Sequence, residues 1–310
     1  MHHLRDSRDA LTDTTELRDR LAEDGYLYLP GVLDTTEVNA VQAELRAALH
    51  EIGWLADPGA LTVAEREIGF RTESFRTVYP AVLRLESVHR LAFTPVLWTL
   101  MERLLGGDVF CHPARVVRLA PPSARPGEYA TRAHQDFVVQ HVTTDAVTAW
   151  IPFTDCDEDK QGLRLIPGSH LHGFLPTDAS LGGRRPLYLP VRPDDPAWAS
   201  ADYAPGDLVL FHSLTVHGGG PNASDELRLS ADVRYQLTDE PLRAEFAHPH
   251  GWPVTPDWDV LAAAWDTDRW HRLPDRVRLV PMPEGLDYGE YLAGLTPPAS
   301  RLLSRPARAV

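Results

Sequence analysis

Lysine is almost absent: Lys160 is the single lysine in 310 residues, so 29 of the 30 basic side chains are arginine. A Schiff-base mechanism, which needs a reactive lysine amine, has almost no candidate here. Cysteine is as scarce. Cys111 and Cys156 could form one bridge, but two cysteines do not make the framework of a small secreted domain, and both are read as free thiols. Positive charge is in deficit as well. A formal net charge of −14 and a pI near 5.4 oppose non-specific binding to nucleic acid or anionic lipid and argue mildly against a polyphosphate-bearing substrate. No apolar run approaches the length of about 18 residues that a membrane span needs. The first residues, MHHLRDSRDALTD, have no apolar core for a signal peptide, so a cytoplasmic location is expected.

What is present suffices for a packed core, since hydrophobic residues make up 43 % of the chain. The spacing of Leu17 and Leu21 predicts a helix over 13–22, and that of Val38, Val41, Leu45 and Leu49 one over 35–52, with a short strand at 26–29 between them. Residues 53–80 show little period and read as a covering loop or a substrate wall, and 88–105 as one or two helices closed by Gly106 and Gly107. From Val109 the rhythm changes to short β-rich runs, VFCHPARVVRL, AVTAWIPFTD, LRLIPGSH, DLVLFH and LRLSADVRYQL. Helices first and strands afterwards disfavour a doubly wound parallel sheet. The expected fold is mainly β, a double-stranded β-helix or jelly roll of the cupin kind with an N-terminal helical buttress. One domain over 1–310 is expected: helices and covering loops in 1–108, the jelly-roll core in 109–238, and a proline-rich, loop-rich extension in 239–310. A short helix is expected over 260–265, and fraying from Ser300 onward.

Chemistry concentrates in two stretches. TRAHQDF (131–137) reads as the end of a strand, where residues two apart share a face, so His134 and Asp136 point at one spot. HSLTVHGGGPNASDELRLS supplies His217 and, eleven positions on, Arg228. Two imidazoles and one carboxylate form the facial set that holds non-haem Fe(II) with open positions. Ser230, two residues beyond Arg228, shares its strand face. His170 and His212 read as structural, His248 and His250 as loop residues, and the acidic run at 155–160 as a solvated turn, because it lacks the spacing of an EF-hand.

With the run WIPFTDCDEDKQGLRLIPGSH added to these two, residues 20–238 resemble the phytanoyl-CoA dioxygenase family of Fe(II)- and 2-oxoglutarate-dependent oxygenases. The resemblance implies iron, 2-oxoglutarate and O2 as the reacting partners. It implies His134, Asp136 and His217 as the iron ligands and catalytic centre, Arg228 as the arginine for the far carboxylate of 2-oxoglutarate, and Trp150 as a tryptophan beside the co-substrate. A planar, permanently charged guanidinium suits that carboxylate. The chain departs from the pattern at Gly219, where some relatives have a small hydroxyl residue, and lacks the N-terminal lysine that some use on 2-oxoglutarate; Arg115 or His112 are candidates to substitute. Asp136 opposes halogenation, which in related enzymes needs a small residue there. Hydroxylation of a small molecule is expected, with desaturation, epoxidation, cyclisation or non-catalytic binding as alternatives. The substrate is expected to be walled by Phe137 and by the two poorly periodic segments 53–80 and 240–275, with Trp54, Phe75, Arg76, Tyr79 and Trp252 as candidate residues, which suit a medium-sized, partly apolar molecule with an anionic or hydroxylated group. Nothing in the sequence sets the oligomeric state.

Overall fold

Asp13 and Asp34 start the first two helices by accepting hydrogen bonds from the backbone N–H groups two residues on, at 2.9 and 2.8 Å. The computed structural model describes residues 2–57, 59–63, 73–122, 130–140, 142–181, 187–282 and 287–303. After a two-residue strand, β1 (His2–His3), come α1 (Thr14–Asp24), β2 (Tyr26–Leu29), α2 (Thr35–Glu51), α3 (Glu73–Leu83), α4 (Glu86–Arg90) and α5 (Pro95–Leu105). Gly25 ends α1 at φ 80°, and a Cβ there would lie 2.5 Å from His170 Nδ1, so both backbone and space call for glycine.

The strands follow: β3 (Val109–Cys111), β4 (Val116–Ala120), a short helix α6 (Phe137–Gln140), β5 (Val147–Pro152), β6 (Leu163–Leu165), β7 (Ala199–Ser200), β8 (Leu208–His212), β9 (His217–Gly219) and β10 (Arg228–Leu237). One sheet has the order β2-β8-β5-β10-β3, with β4 also paired to β10; the other runs β1-β7-β6-β9. The two sheets form the jelly roll that the sequence predicts. A two-stranded pair, β11 (Leu242–Arg243) with β12 (Leu279–Val280), flanks α7 (Trp258–Leu261), and α8 (Tyr288–Ala293) follows.

The alternation along the strands decides what each face does. Val147, Ala149 and Ile151 of β5, Leu208 and Leu210 of β8, and Leu229 to Leu237 at odd positions of β10 join Leu17, Leu21, Leu45, Leu49, Val82 and Leu100 in the largest apolar cluster, which is the helical buttress on the outer face of the larger sheet. The inner face is of two kinds. Trp150, Val209 and Phe211 meet Leu163, Leu165, Ala199 and Tyr203 of the smaller sheet and its loops in an apolar plug. Along β10, by contrast, Arg228, Ser230, Asp232, Arg234 and Gln236 are all buried polar residues in alternate positions. This polar stripe is where the site lies.

Three sequence expectations change. Residues 73–83 are a helix although Pro80 stands inside it; Phe75, Val78, Tyr79 and Val82 form its buried face. The C-terminal helix covers 258–261, started by the Asp257 side chain, which accepts from Trp258 N at 2.8 Å, rather than 260–265. The start of the stretch expected to fray is tied down, since the Ser300 hydroxyl donates to Asp145 Oδ1 at 2.5 Å and Arg301 N to Asp145 Oδ2 at 2.8 Å; residues 304–310 of that stretch lie outside the described residues. Among the described residues no helix is long and apolar enough to cross a membrane.

Candidate active site

His134 and His217 face one another across an antiparallel bridge, each backbone N–H donating to the other's carbonyl at 3.0 Å. The expected strand end is therefore a single bridge at His134, followed by a turn at Asp136 that leads into α6. The spacing still brings the groups together. Nε2 of each histidine lies 3.8 Å from Asp136 Oδ1, and the three ligand atoms are all within 4.8 Å of one another.

The histidine tautomers follow from the backbone. Nδ1 of His134 lies 2.9 Å from the carbonyl of Arg132, and Nδ1 of His217 lies 2.9 Å from that of Thr215. A carbonyl only accepts, so each Nδ1 carries the hydrogen and each Nε2 presents its lone pair toward Asp136. Burial pushes both rings toward the neutral form, His134 down to about 3, with the His217 ring adding to the effect there. Two neutral imidazoles and a carboxylate converging on one point fit a divalent iron ion.

Asp136 is held by residues the sequence analysis did not single out. Arg234 donates to both of its oxygens, at 2.8 and 2.9 Å, and Thr148 Oγ1 donates to Oδ2 at 2.6 Å. Burial works to raise the carboxyl pKa, but the Arg234 guanidinium, together with the neighbouring His217 and His134 rings, outweighs it and leaves Asp136 well below the usual carboxylate range. With Oδ2 taken by two donors, Oδ1 is the oxygen left facing the histidines. The sign of this arrangement was available in the sequence: alternation in RLSADVRYQL puts Asp232 and Arg234 on the face of Arg228.

Behind the histidines a narrow pocket is lined by Arg118, Thr131, Trp150, Gly219, Arg228 and Ser230, among others. Arg228 is buried, its Nη1 donates to the carbonyl of Gly220 at 2.9 Å, and among the described residues no carboxylate pairs with it. Burial lowers its pKa to about 10, so it remains a cation at neutral pH and lacks only an anion. Trp150 closes one wall, packed edge-on to Tyr203 at 4.7 Å. A Cβ at Gly219 would lie 3.3 Å from Arg228 Nη2 and 3.5 Å from Thr131 Cβ, so glycine there makes room for Thr131, whose hydroxyl accepts from Arg118 Nη1 at 3.0 Å. Arg118 is in turn paired with Asp232. Neither Arg115 nor His112 reaches this pocket. Arg115 bonds Cys111 Sγ and His89 Nδ1, and His112 bonds Gln236 Oε1, all buried behind β3.

A cavity of about 620 Å³ opens in front of the same ligands. Of the candidate substrate residues, Phe75, Tyr79 and Trp252 line it, together with Val138, Tyr188, Glu245 and His250. Three of the named substrate candidates do not. Arg76 is exposed on the outer side of α3, because one helical step from Phe75 turns it away from the core. Phe137 is fully buried against Phe174 at 5.4 Å, and Val138 and Val139 occupy the wall instead. Trp54 belongs to the helix–sheet core. His250 is more than a loop residue: it bonds the Tyr79 hydroxyl through Nδ1, and burial holds it neutral, down to about 3. His248 stacks on Trp252 at 4.1 Å and bonds Asp257. His170 and His212 are structural, bonded to the Ala22 carbonyl and to Ser300. The acidic run is a turn in which Asp157 accepts from the N–H groups of Asp159 and Lys160, and Lys160 pairs with Glu226.

Comparison with known proteins agrees with this geometry. The chain is 30 % identical over 244 residues to the 1-deoxypentalenic acid 11-beta-hydroxylase of Streptomyces arenae, covering 73 % of this chain and 82 % of that protein. It is 25 % identical over 252 residues to the ectoine dioxygenase of Stutzerimonas stutzeri (strain A1501), covering 74 % and 79 %. Among solved structures, the epimerase SnoN in complex with Fe3+, alpha ketoglutarate and nogalamycin RO superposes with a TM-score of 0.55 at 26 % identity, covering 75 % of this chain and 86 % of that one. The non-heme monooxygenase ThoJ, at 18 % identity and a TM-score of 0.55 over 89 % of this chain and 92 % of its own, shares the fold. A family model described as Phytanoyl-CoA dioxygenase (PhyH) matches residues 21–230, and the chain belongs to that family.

Proposed function

We propose that this protein is an Fe(II)- and 2-oxoglutarate-dependent hydroxylase of a small, partly apolar metabolite, releasing succinate and CO2. The observation that carries the reading is one juxtaposition. Two neutral imidazoles and a carboxylate converge beside a buried arginine that has no carboxylate partner among the described residues, and His134 and Arg228 line both the narrow pocket and the large cavity. Iron and 2-oxoglutarate, when bound, supply the oxidising power: O2 and the keto acid give succinate, CO2 and one oxygen atom for a substrate C–H bond.

The chain's own residues divide the remaining work. His134, Asp136 and His217 are the iron ligands, with Arg234 and Thr148 fixing the Asp136 rotamer. Arg228 takes the far carboxylate of 2-oxoglutarate, with Ser230 and Thr131 as hydroxyl donors in the same pocket and Trp150 as its wall. The large cavity receives the substrate. Among the described residues, the cavity arginines Arg118 and Arg234 are committed to Asp232 and Asp136, which favours a free small molecule over a coenzyme A thioester.

The test is a screen of 2-oxoglutarate turnover over terpenoid and polyketide intermediates, amino acids, free acids and acyl-CoA thioesters, followed by mass analysis with labelled O2. A free metabolite that gains one labelled oxygen in step with succinate release supports the reading. Coupling with thioesters alone overturns the substrate class, and chloride in the product overturns the role of Asp136. Tight binding without succinate release points to a sensor. SnoN, an epimerase, gives one specific rival: a product with no added oxygen would favour epimerisation or ring formation.

A further inference from the structure

Two carboxylates line the large cavity among the described residues, Asp136 and Glu245. Asp136 has its guanidinium and its hydroxyl. Glu245 has neither: its Oε2 is closed off from solvent without a hydrogen-bond donor, and no described basic group forms an ion pair with it. A carboxylate oxygen deprived of both water and protein donors is destabilised, and a ligand that brings a donor relieves that.

The position is well fixed. Glu245 sits in a one-turn 3-10 helix (Ala244–Ala247) whose Phe246 carbonyl accepts from Ala114 N at 3.1 Å, pinning the turn to the entry of β4 beside Ala114 and Val116, which line the same cavity. Two residues back, Arg243 donates to the Pro281 carbonyl at 2.9 Å, which anchors the turn from the other side. Rotation about the last bond of a glutamate is broad and nearly free, so either oxygen of a fixed Glu245 turns into the cavity at little cost.

We propose that Glu245 is a specificity-determining residue that takes a hydrogen-bond donor of the prime substrate, a hydroxyl or a protonated amine, on the cavity wall formed by the C-terminal segment. The inference rests on the reading of this cavity as the substrate site. It narrows that reading, because a substrate whose polar group is only a carboxylate would meet Glu245 as a repelling charge, whereas a donor completes it. Apolar lining from Phe75, Val138, Phe246 and Trp252 then holds the rest of the molecule.

Three probes on one apolar cage separate the cases: 1-adamantanamine, 1-adamantanol and 1-adamantanecarboxylate. Each is titrated calorimetrically into the protein loaded with Mn(II) and 2-oxoglutarate, as wild type, Glu245→Gln and Glu245→Leu. The expected order is amine, then alcohol, then acid, with the amine at least tenfold tighter than the acid. Glu245→Gln removes the amine's advantage but keeps the alcohol; Glu245→Leu loses both. The acid binding tightest, an unchanged order in both variants, or no binding by any probe would each overturn the assignment. The visible absorption of the anaerobic Fe(II)–2-oxoglutarate protein is recorded separately, so failure of the iron reading is seen independently of failure at Glu245.

Discussion

Arg228 and Arg234 lie on the same face of β10, both buried, and differ in their partners: Arg234 has a carboxylate, and among the described residues Arg228 has none. Arg228→Met should therefore stabilise the protein when 2-oxoglutarate is absent while weakening 2-oxoglutarate binding. Burial lowers the Arg228 pKa from 12.5 to about 10, which corresponds to roughly 3 kcal/mol of unfavourable desolvation. Its hydrogen bond to the Gly220 carbonyl returns about 1–2 kcal/mol. Methionine, of similar volume, removes both, so a net gain of about 1–2 kcal/mol is expected in urea unfolding of the metal- and co-substrate-free protein. The same change removes a charge-assisted anchor and should raise the Kd of 2-oxoglutarate by tenfold or far more, since losing such a pair costs about 2–5 kcal/mol. Calorimetric titration of 2-oxoglutarate into Mn(II)-loaded protein measures it. A variant that is less stable and binds 2-oxoglutarate as before would refute the reasoning, because it would show Arg228 to be a structural cation.

Arg234→Met should act oppositely on stability, lowering it by about 3–5 kcal/mol in the metal-free protein, because it leaves Asp136 buried without its guanidinium; urea unfolding reads this, and a neutral effect would deny the pairing. Phe137→Ala should cost about 3–5 kcal/mol of stability through the cavity it leaves against Phe174; a stable variant with altered substrate preference would instead make Phe137 a pocket residue. Acid should destabilise the fold through His112 and His212, which burial holds neutral down to about 3. Below about pH 6.5 the unfolded chain binds these protons and the folded one does not, so stability is full above that pH and falls by about 3 kcal/mol per pH unit for the two together as pH drops toward 3. Denaturant unfolding at pH 7.5 and 5.5 checks the slope, and a flat profile would contradict it.

The convergence of His134, Asp136 and His217 and the burial of Arg228 beside them were legible because each is set by short-range sequence: a two-residue spacing, a histidine opening a strand, and an arginine opening a strand of alternating character. The jelly roll was legible from the change of rhythm at Val109, and α1 and α2 from their caps and apolar spacing. What escaped depended on packing or on a competing local rule. The helix over 73–83 carries a clear apolar face, but Pro80 argues against it, and only burial of Phe75, Val78 and Tyr79 in the main apolar cluster outweighs the lost backbone hydrogen bond. Arg76 and Phe75 are adjacent in sequence, and choosing which faces the cavity requires the helix phase. The aperiodic stretch 240–275 was legible as a wall, but within it only Trp252 was picked out; Glu245 and His250 escaped because no period says which side chains of an irregular segment face the cavity.

The central claim is that His134, Asp136 and His217 hold Fe(II) beside a 2-oxoglutarate anchored by Arg228. Anaerobic titration of the folded protein with Fe(II) and then 2-oxoglutarate tests it most directly. A weak visible charge-transfer band should appear in the wild type, saturate at one equivalent of iron, require far more 2-oxoglutarate in Arg228→Met, and be lost in Asp136→Ala. A folded wild-type protein that shows no band at saturating Fe(II) and 2-oxoglutarate would contradict the account.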